Sequence, residues 1–254
     1  MLELKACETF STIQGEGKYI GYPSFFIRTT GCNLRCAWKD DEGITLCDTP
    51  YTSFEPEVGK PYTAQNTESF LLRNLGVRHI VISGGEPCIQ RKALVHYLNE
   101  AQALFMDSRV DVITIETNGT IFLPDIPLRN IFFSFSPKLS SSYEAEGGKE
   151  REMHKNNNFF IDSIAKYILK GFDYQLKFVV TTPEDFLEIK DVLRRLEHEI
   201  DAEIPHDHVW IMPQGIKSEQ LKAKETSLVQ ECIERGYNFS PRLHINIWGN
   251  KRGT

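Results

Sequence analysis

The sequence predicts an α/β fold of parallel strands joined by right-handed helical crossovers, open or partly closed into a barrel. Two observations lead there. Short β-branched and aromatic runs alternate with longer segments of helical periodicity. Several of the runs pass at once into small, polar or turn-forming residues: Thr29-Thr30-Gly31-Cys32, Ser83-Gly84-Gly85-Glu86-Pro87, Thr117-Asn118-Gly119 and Ser136-Pro137-Lys138. In a parallel sheet such ends meet on one rim, and ligands bind there.

Taken in order, strands are expected over 24–28, 79–82, 111–116, 130–135, 175–180, 208–212 and 242–247. Helices are expected over 64–75, 90–105, 159–170, 183–196 and 218–235. For 183–196, Thr182 suits the N-cap and Pro183 the first helical position, with Glu184 and Asp185 complementing the dipole. Gly76 and Gly236 are placed to close their helices in a left-handed conformation. Residues 42–65 show little periodicity and read as loop. Residues 143–158, rich in Glu, Lys, Gly and Asn, read as a solvated loop or lid.

The 254 residues carry 29 Lys+Arg against 35 Asp+Glu, a net charge of −6, with 41% hydrophobic residues. That composition excludes a disordered chain, a fibre and a small disulfide scaffold. The acidic balance argues against direct nucleic-acid binding, which needs surplus cations to displace counterions. The apolar runs, such as Phe25-Phe26-Ile27, are far short of the ~20 residues that cross a bilayer. Glu3 and Lys5 interrupt the N-terminus where a signal peptide needs an apolar core. A cytoplasmic protein with reduced thiols and no membrane contact follows, organised as one domain over 1–254.

Cysteines then read as ligands or core residues. Cys32, Cys36 and Cys47 follow the first strand of the βα series, and three thiolates on one loop suit zinc or an iron–sulfur cluster. Three cysteines leave one iron of a cubane without a protein ligand. No histidine lies between Cys32 and Cys47, which weakens a zinc site built from this loop alone.

These residues carry a resemblance. A Cys-x3-Cys-x2-Cys loop after the first barrel strand marks radical S-adenosylmethionine (SAM) enzymes; this chain has Cys-x3-Cys-x10-Cys, with 39–46 inserted between Trp38 and Cys47-Asp48-Thr49. Over nearly its whole length the chain resembles the 7-carboxy-7-deazaguanine synthase family of the deazapurine (queuosine) pathway. The resemblance rests on an ordered set: Thr12-Ile13-Gln14-Gly15-Glu16-Gly17, Phe26-Ile27-Arg28-Thr29-Thr30-Gly31-Cys32, Ile82-Ser83-Gly84-Gly85-Glu86-Pro87, Glu116-Thr117-Asn118-Gly119, Ser136-Pro137-Lys138, Leu176-Lys177-Phe178-Val179-Val180 and Trp248-Gly249-Asn250-Lys251-Arg252-Gly253.

The resemblance implies an incomplete (β/α)6-type radical SAM barrel, partly open, with an N-terminal substrate-binding segment and an expanded cluster loop at 32–47. It implies a lyase that converts 6-carboxy-5,6,7,8-tetrahydropterin to 7-carboxy-7-deazaguanine with loss of ammonia, after an adenosyl radical abstracts the hydrogen at C6. By the same resemblance Cys32, Cys36 and Cys47 hold a [4Fe–4S] cluster, and Thr49 ligates Mg2+, a hard cation suited to a hydroxyl. Gly85, Glu86, Ser136, Pro137 and Lys138 fall to SAM. Ile13, Gln14 and Gly15 read the pterin edge, Ser83 touches the substrate, and Arg28 forks onto its carboxylate. No residue of the chain is assigned as a catalytic acid or base. Flavodoxin or ferredoxin would supply the electron, and a homodimer is expected. Glu116 and Asn118 end the third strand on the rim with their roles undivided. A glycyl-radical activating enzyme and a zinc-stabilised interaction module are the alternatives.

Overall fold

The computed structural model describes residues 2–40, 43–106, 109–127, 129–142 and 159–254. Among these, nine strands form one sheet in the order β11-β10-β9-β8-β7-β6-β2-β1-β5. The strands are β1 (Leu4–Ile13), β2 (Pro23–Thr29), β5 (Lys60–Tyr62), β6 (His79–Gly84), β7 (Val112–Thr117), β8 (Ile131–Phe135), β9 (Asp173–Val180), β10 (Val209–Pro213) and β11 (Asn238–Phe239). A separate hairpin pairs β3 (Ala37–Asp40) with β4 (Gly43–Leu46). From β2 through β6 to β11 every neighbour is parallel, and β1 and β5 add an antiparallel edge. The sheet is open and does not close into a barrel.

Because the parallel strands follow in sequence order without reversal, right-handed crossovers lay the connecting helices along one face. These are α2 (Ala64–Leu71), α3 (Arg91–Met106), α4 (Phe160–Leu169), α5 (Asp185–Ile200) and α6 (Ser218–Arg235); two shorter helices are α1 (Pro50–Ser53) and α7 (Leu243–Trp248). Ile27, Ile82, Ile115 and Phe133 join the core packed under the helices. Each next residue points the opposite way, since strand side chains alternate. Register aligns Arg28 with Ser83, Glu116 with Ser134, and Ser134 with Gln175, so a polar row crosses the helix-free face near the carboxyl ends of the strands.

Several expectations need correction. Residues 242–247 form a helix, not a strand. Leu243, Ile245 and Ile247 imitate a period of two, but only Ile245 is buried, and the outer edge of β10 is already taken by β11. Helix α5 starts at Asp185 rather than Pro183: the Asp185 carboxylate accepts from the Thr181 and Thr182 N–H groups at 2.6 and 3.1 Å, which fixes 181–184 as a turn. Helix α2 ends at Leu71, leaving Gly76 in a later turn, whereas Gly236 closes α6 at φ +71° as expected. Residues 42–65 contain β4, α1 and β5. Strand β1 was not anticipated, because a register shift between Ala6 and Glu8 breaks its alternation. The expected lid at 143–158 lies outside the described residues. No helix among the described residues is long and apolar enough to cross a membrane.

At the amino ends of the strands His79 is buried between Ser24 and Thr114, at 2.8 and 2.7 Å. Ser24 donates its hydroxyl hydrogen to the Tyr22 carbonyl, so it accepts from His79 Nδ1–H, and Nε2 accepts from Thr114. Burial pushes the His79 pKa down to about 4. The unfolded chain therefore takes up a proton between pH 6.5 and 4 that the folded chain refuses. Stability from this site is full above pH 6.5 and falls with acidification, by up to about 3 kcal/mol. Thermal melts at pH 7 and 4.5 should show a decline that His79→Gln makes shallower; an equal decline in both proteins contradicts this.

Candidate active site

The carboxyl ends of the strands surround a cleft of about 540 Å3. Its walls bring together Ile13, Gln14, Gly15, Arg28, Ser83, Gly85, Ser136 and Lys138 with Cys32, Cys36, Cys47 and Thr49. Glu86 and Pro137 do not reach its surface.

The turn after β6 explains both its glycines. A Cβ on Gly84 would lie 2.2 Å from the Thr29 carbonyl oxygen, and one on Gly85 would lie 2.2 Å from the Gly31 oxygen. Gly84 also holds φ +142°, which only glycine adopts readily. The close approach thus serves the cysteine loop itself: Gly85 N–H donates to Thr29 and Glu86 N–H to Gly31. The Glu86 carboxylate, fully buried, accepts from the Cys88 N–H, the Thr117 hydroxyl and the Asn118 N–H at 2.7–2.9 Å. It ties β6 to β7 under the loop. Asn118 donates to Asn33 and accepts from Thr120, and Asn33 donates to Thr120, which anchors the loop from the other side. Asn118 is therefore a strut.

Of the inserted residues, 39–40 belong to β3 and 43–46 to β4 of the hairpin. Ala37 pairs with Leu46 and Trp38 with Thr45, and the Cys47 N–H donates to the Cys36 carbonyl at 3.0 Å. The insertion leaves the loop as a ladder that returns to its starting point, so Cys47 lies beside Cys36 despite the long spacing. Cys32, Cys36 and Cys47 pack with Leu34, Trp38 and Val179. Burial pushes the Cys32 thiol up to about 12 and raises Cys36 and Cys47, against the pull of Lys138 on the latter two. Bare thiolates are costly here, and a bound cation removes that cost. The Trp38 indole N–H and the Thr12 hydroxyl, both on the cleft wall, are buried without a partner among the described residues. Soft ligands beside unsatisfied polar groups fit a cofactor larger than one ion. Among the described residues no three His, Cys, Asp or Glu side chains converge as a single-ion site requires.

Gln14 and Ser83 both donate to Glu116, at 3.1 and 2.7 Å, so the β7 carboxylate joins the N-terminal motif to β6. The Gly15 carbonyl accepts from Leu243 N–H, and the space a Gly15 side chain would need holds the His244 ring. Arg28 donates through Nε to Glu8 at 2.6 Å, its guanidinium lies over the Phe10 ring, and its terminal nitrogens make no hydrogen bond among the described residues. Beneath lies an ion network that sequence reasoning did not assign. The Glu16 carboxylate accepts from Lys177 and from Arg242 (3.0 Å), and Arg242 also donates to Asp48 and to the Gly215 carbonyl at 2.7 Å. Burial raises the Glu16 pKa, but Lys177 and Arg242 outweigh it and hold the carboxyl well below the usual range. A lysine inside the apolar run of β9 was the available signal.

No family model matches the chain. Curated relatives do. The 7-carboxy-7-deazaguanine synthase of Rhodopirellula baltica is 39% identical over 251 residues, covering 97% of this chain and 87% of the relative. That of Halobacterium salinarum is 34% identical over 256 residues, covering 97% and 91%. The crystal structure of QueE from Escherichia coli superposes with a TM-score of 0.63 at 22% identity, covering 96% of each chain, and shares the fold. Two extended identities, each spanning nearly the full chain and its split cysteine motif, establish that the protein belongs to the 7-carboxy-7-deazaguanine synthase family.

Proposed function

We propose that this chain is a radical SAM lyase that forms 7-carboxy-7-deazaguanine from 6-carboxy-5,6,7,8-tetrahydropterin, working as one catalytic unit over 1–254. One observation carries the reading: three cysteines (Cys36 buried, Cys32 and Cys47 half-buried), an arginine whose terminal nitrogens make no hydrogen bond and a polar strand row face the same cleft. The family's cofactors are a [4Fe–4S] cluster, SAM and Mg2+, and when bound they supply one-electron cleavage of a sulfonium, hydrogen abstraction and charge neutralisation at the substrate.

The chain's own part is to bind, orient and exclude water. Cys32, Cys36 and Cys47 would hold the cluster at three corners. Ser136 and Lys138 would line the SAM side, with the Lys138 ammonium donating to the Ser136 hydroxyl at 2.8 Å. Glu86 and Pro137 act there through the shape of their turns. Arg28 offers its free pair of nitrogens to the substrate carboxylate. Gln14, Ser83 and Glu116 together present donors and an acceptor to the pterin edge, with Ile13 and Gly15 shaping the adjoining wall. Thr49 would ligate Mg2+; the neighbouring Asp48 is already engaged by Arg242, which leaves the hydroxyl as the hard oxygen on offer. A cytoplasmic location, a flavodoxin or ferredoxin donor and a homodimer complete the reading, on the strength of the family resemblance.

An anaerobic assay with SAM, dithionite and the carboxytetrahydropterin, read by product mass, tests the whole reading; absence of the deazaguanine from cluster-loaded protein would sink it. Cys32→Ala, Cys36→Ala and Cys47→Ala should each lose the brown colour and bound sulfide, while Cys88→Ala keeps both. Colour retained in Cys47→Ala would exclude it as a ligand. Arg28→Ala should raise the substrate KM about 10–100-fold, the effect of one charge-assisted hydrogen bond at ~1.5–3 kcal/mol, with SAM affinity unchanged. Thr49→Ala should abolish stimulation of turnover by Mg2+, and a Mg2+ titration that matches the parent protein would refute the assignment.

A further inference from the structure

Around Arg28, at the cleft mouth, lies a cluster of charge whose other members have no place in the roles above. The Glu8 carboxylate accepts from Arg28 Nε (2.6 Å) and Tyr51 Oη (2.9 Å) on one oxygen, and from Arg252 Nε (2.7 Å) on the other. Arg252 belongs to the C-terminal segment. Its two terminal nitrogens fork onto Glu57 at 2.8 Å each, and its guanidinium lies 3.9 Å above the Tyr51 ring. Every polar face of Arg252 is thereby used, although the residue is exposed at the cleft mouth.

We infer that Arg252 is a positioning residue that keeps the Arg28 fork turned toward the cleft for the substrate carboxylate. A carboxylate and a guanidinium left to themselves pair through two parallel hydrogen bonds. Arg252 draws the second oxygen of Glu8 to its own side, so Glu8 takes Nε of Arg28 and no terminal nitrogen. The charge balance points the same way. Arg28 and Arg252 face Glu8 and Glu57, so the cluster is neutral; without Arg252 a net negative charge would sit beside the group meant to attract an anion. The C-terminal segment thus governs substrate affinity from outside the binding contacts, and the inference rests on the reading of Arg28 as the carboxylate ligand.

A double-mutant cycle read by equilibrium binding tests it. Substrate is titrated anaerobically into cluster-reconstituted, SAM-loaded, unreduced protein. Arg252→Ala should weaken substrate binding about tenfold and leave SAM binding unchanged. Arg252→Lys, which keeps the charge and loses the fork, should weaken it about threefold. In an Arg28→Ala background, adding Arg252→Ala should change affinity less than twofold, because the residue it positions is gone. An Arg28→Ala effect accompanied by a silent Arg252→Ala, or by effects that simply add, overturns this inference alone. A silent Arg28→Ala overturns the carboxylate reading and this inference with it. Should Arg252→Ala prove insoluble, the lysine variant decides: substrate affinity equal to that of the parent protein overturns the inference.

Discussion

One largely buried carboxylate, its side chain 13% exposed, organises the cleft. Glu16 lies between Lys177 of β9 and Arg242 before α7, and Arg242 reaches on to Asp48, the residue after the third cysteine. Four segments remote in sequence are thereby joined at one point: the N-terminal motif, the fifth parallel strand, the C-terminal helix and the cysteine loop. Removing one member of such a buried set costs about 3–5 kcal/mol, because the partner charge is left without compensation. An open sheet needs this. A closed barrel would hold its rim by strand pairing all round, whereas here the two ends of the sheet are free and polar contacts across the mouth fix the geometry.

The cysteine loop depends on a second constraint, close backbone contact. The glycine pair after β6 lets that turn press against Thr29–Gly31, and Glu86 and Asn118 brace it from below and from the side. Glu86 therefore shapes the cleft without lining it. The same logic explains how the loop tolerates extra residues. Added chain that leaves as one strand of a hairpin and returns as the other preserves the separation of its ends, and the Cys47–Cys36 backbone hydrogen bond closes the ladder. Spacing in sequence stops being a measure of spacing between ligands once a hairpin intervenes.

Much of the architecture was legible because the physics behind it is local. The parallel strand β8 is a nearly unbroken aromatic and apolar run, β6 carries Ile80-Val81-Ile82 and β9 ends in Phe178-Val179-Val180, and α6 is closed by Gly236. Where the reading failed, the deciding contact was distant. Leu243–Trp248 alternates like a strand, but the sheet edge it would need belongs to Asn238–Phe239. Pro183 fits a helix start, yet the side chain of Asp185 folds back and delays it. β1 hides because Phe10 and Thr12 of its cleft-facing side mix apolar with polar in place of a regular apolar face, with a shift in register between Ala6 and Glu8.

By itself the sequence determined the class of fold, the three cysteines as a group and the identity of the motifs that gather on the rim. Each depends on residue type and near-neighbour spacing, which a chain carries unfolded. Tertiary structure alone decided that Glu86 braces rather than lines the cleft, that Glu116 joins Gln14 to Ser83, that Arg242 withdraws Asp48, and that Arg252 shares Glu8 with Arg28 across nearly the full length of the chain. A hydrogen bond needs its partners within about 3 Å, and which groups meet at that distance is settled only when the strands take their register.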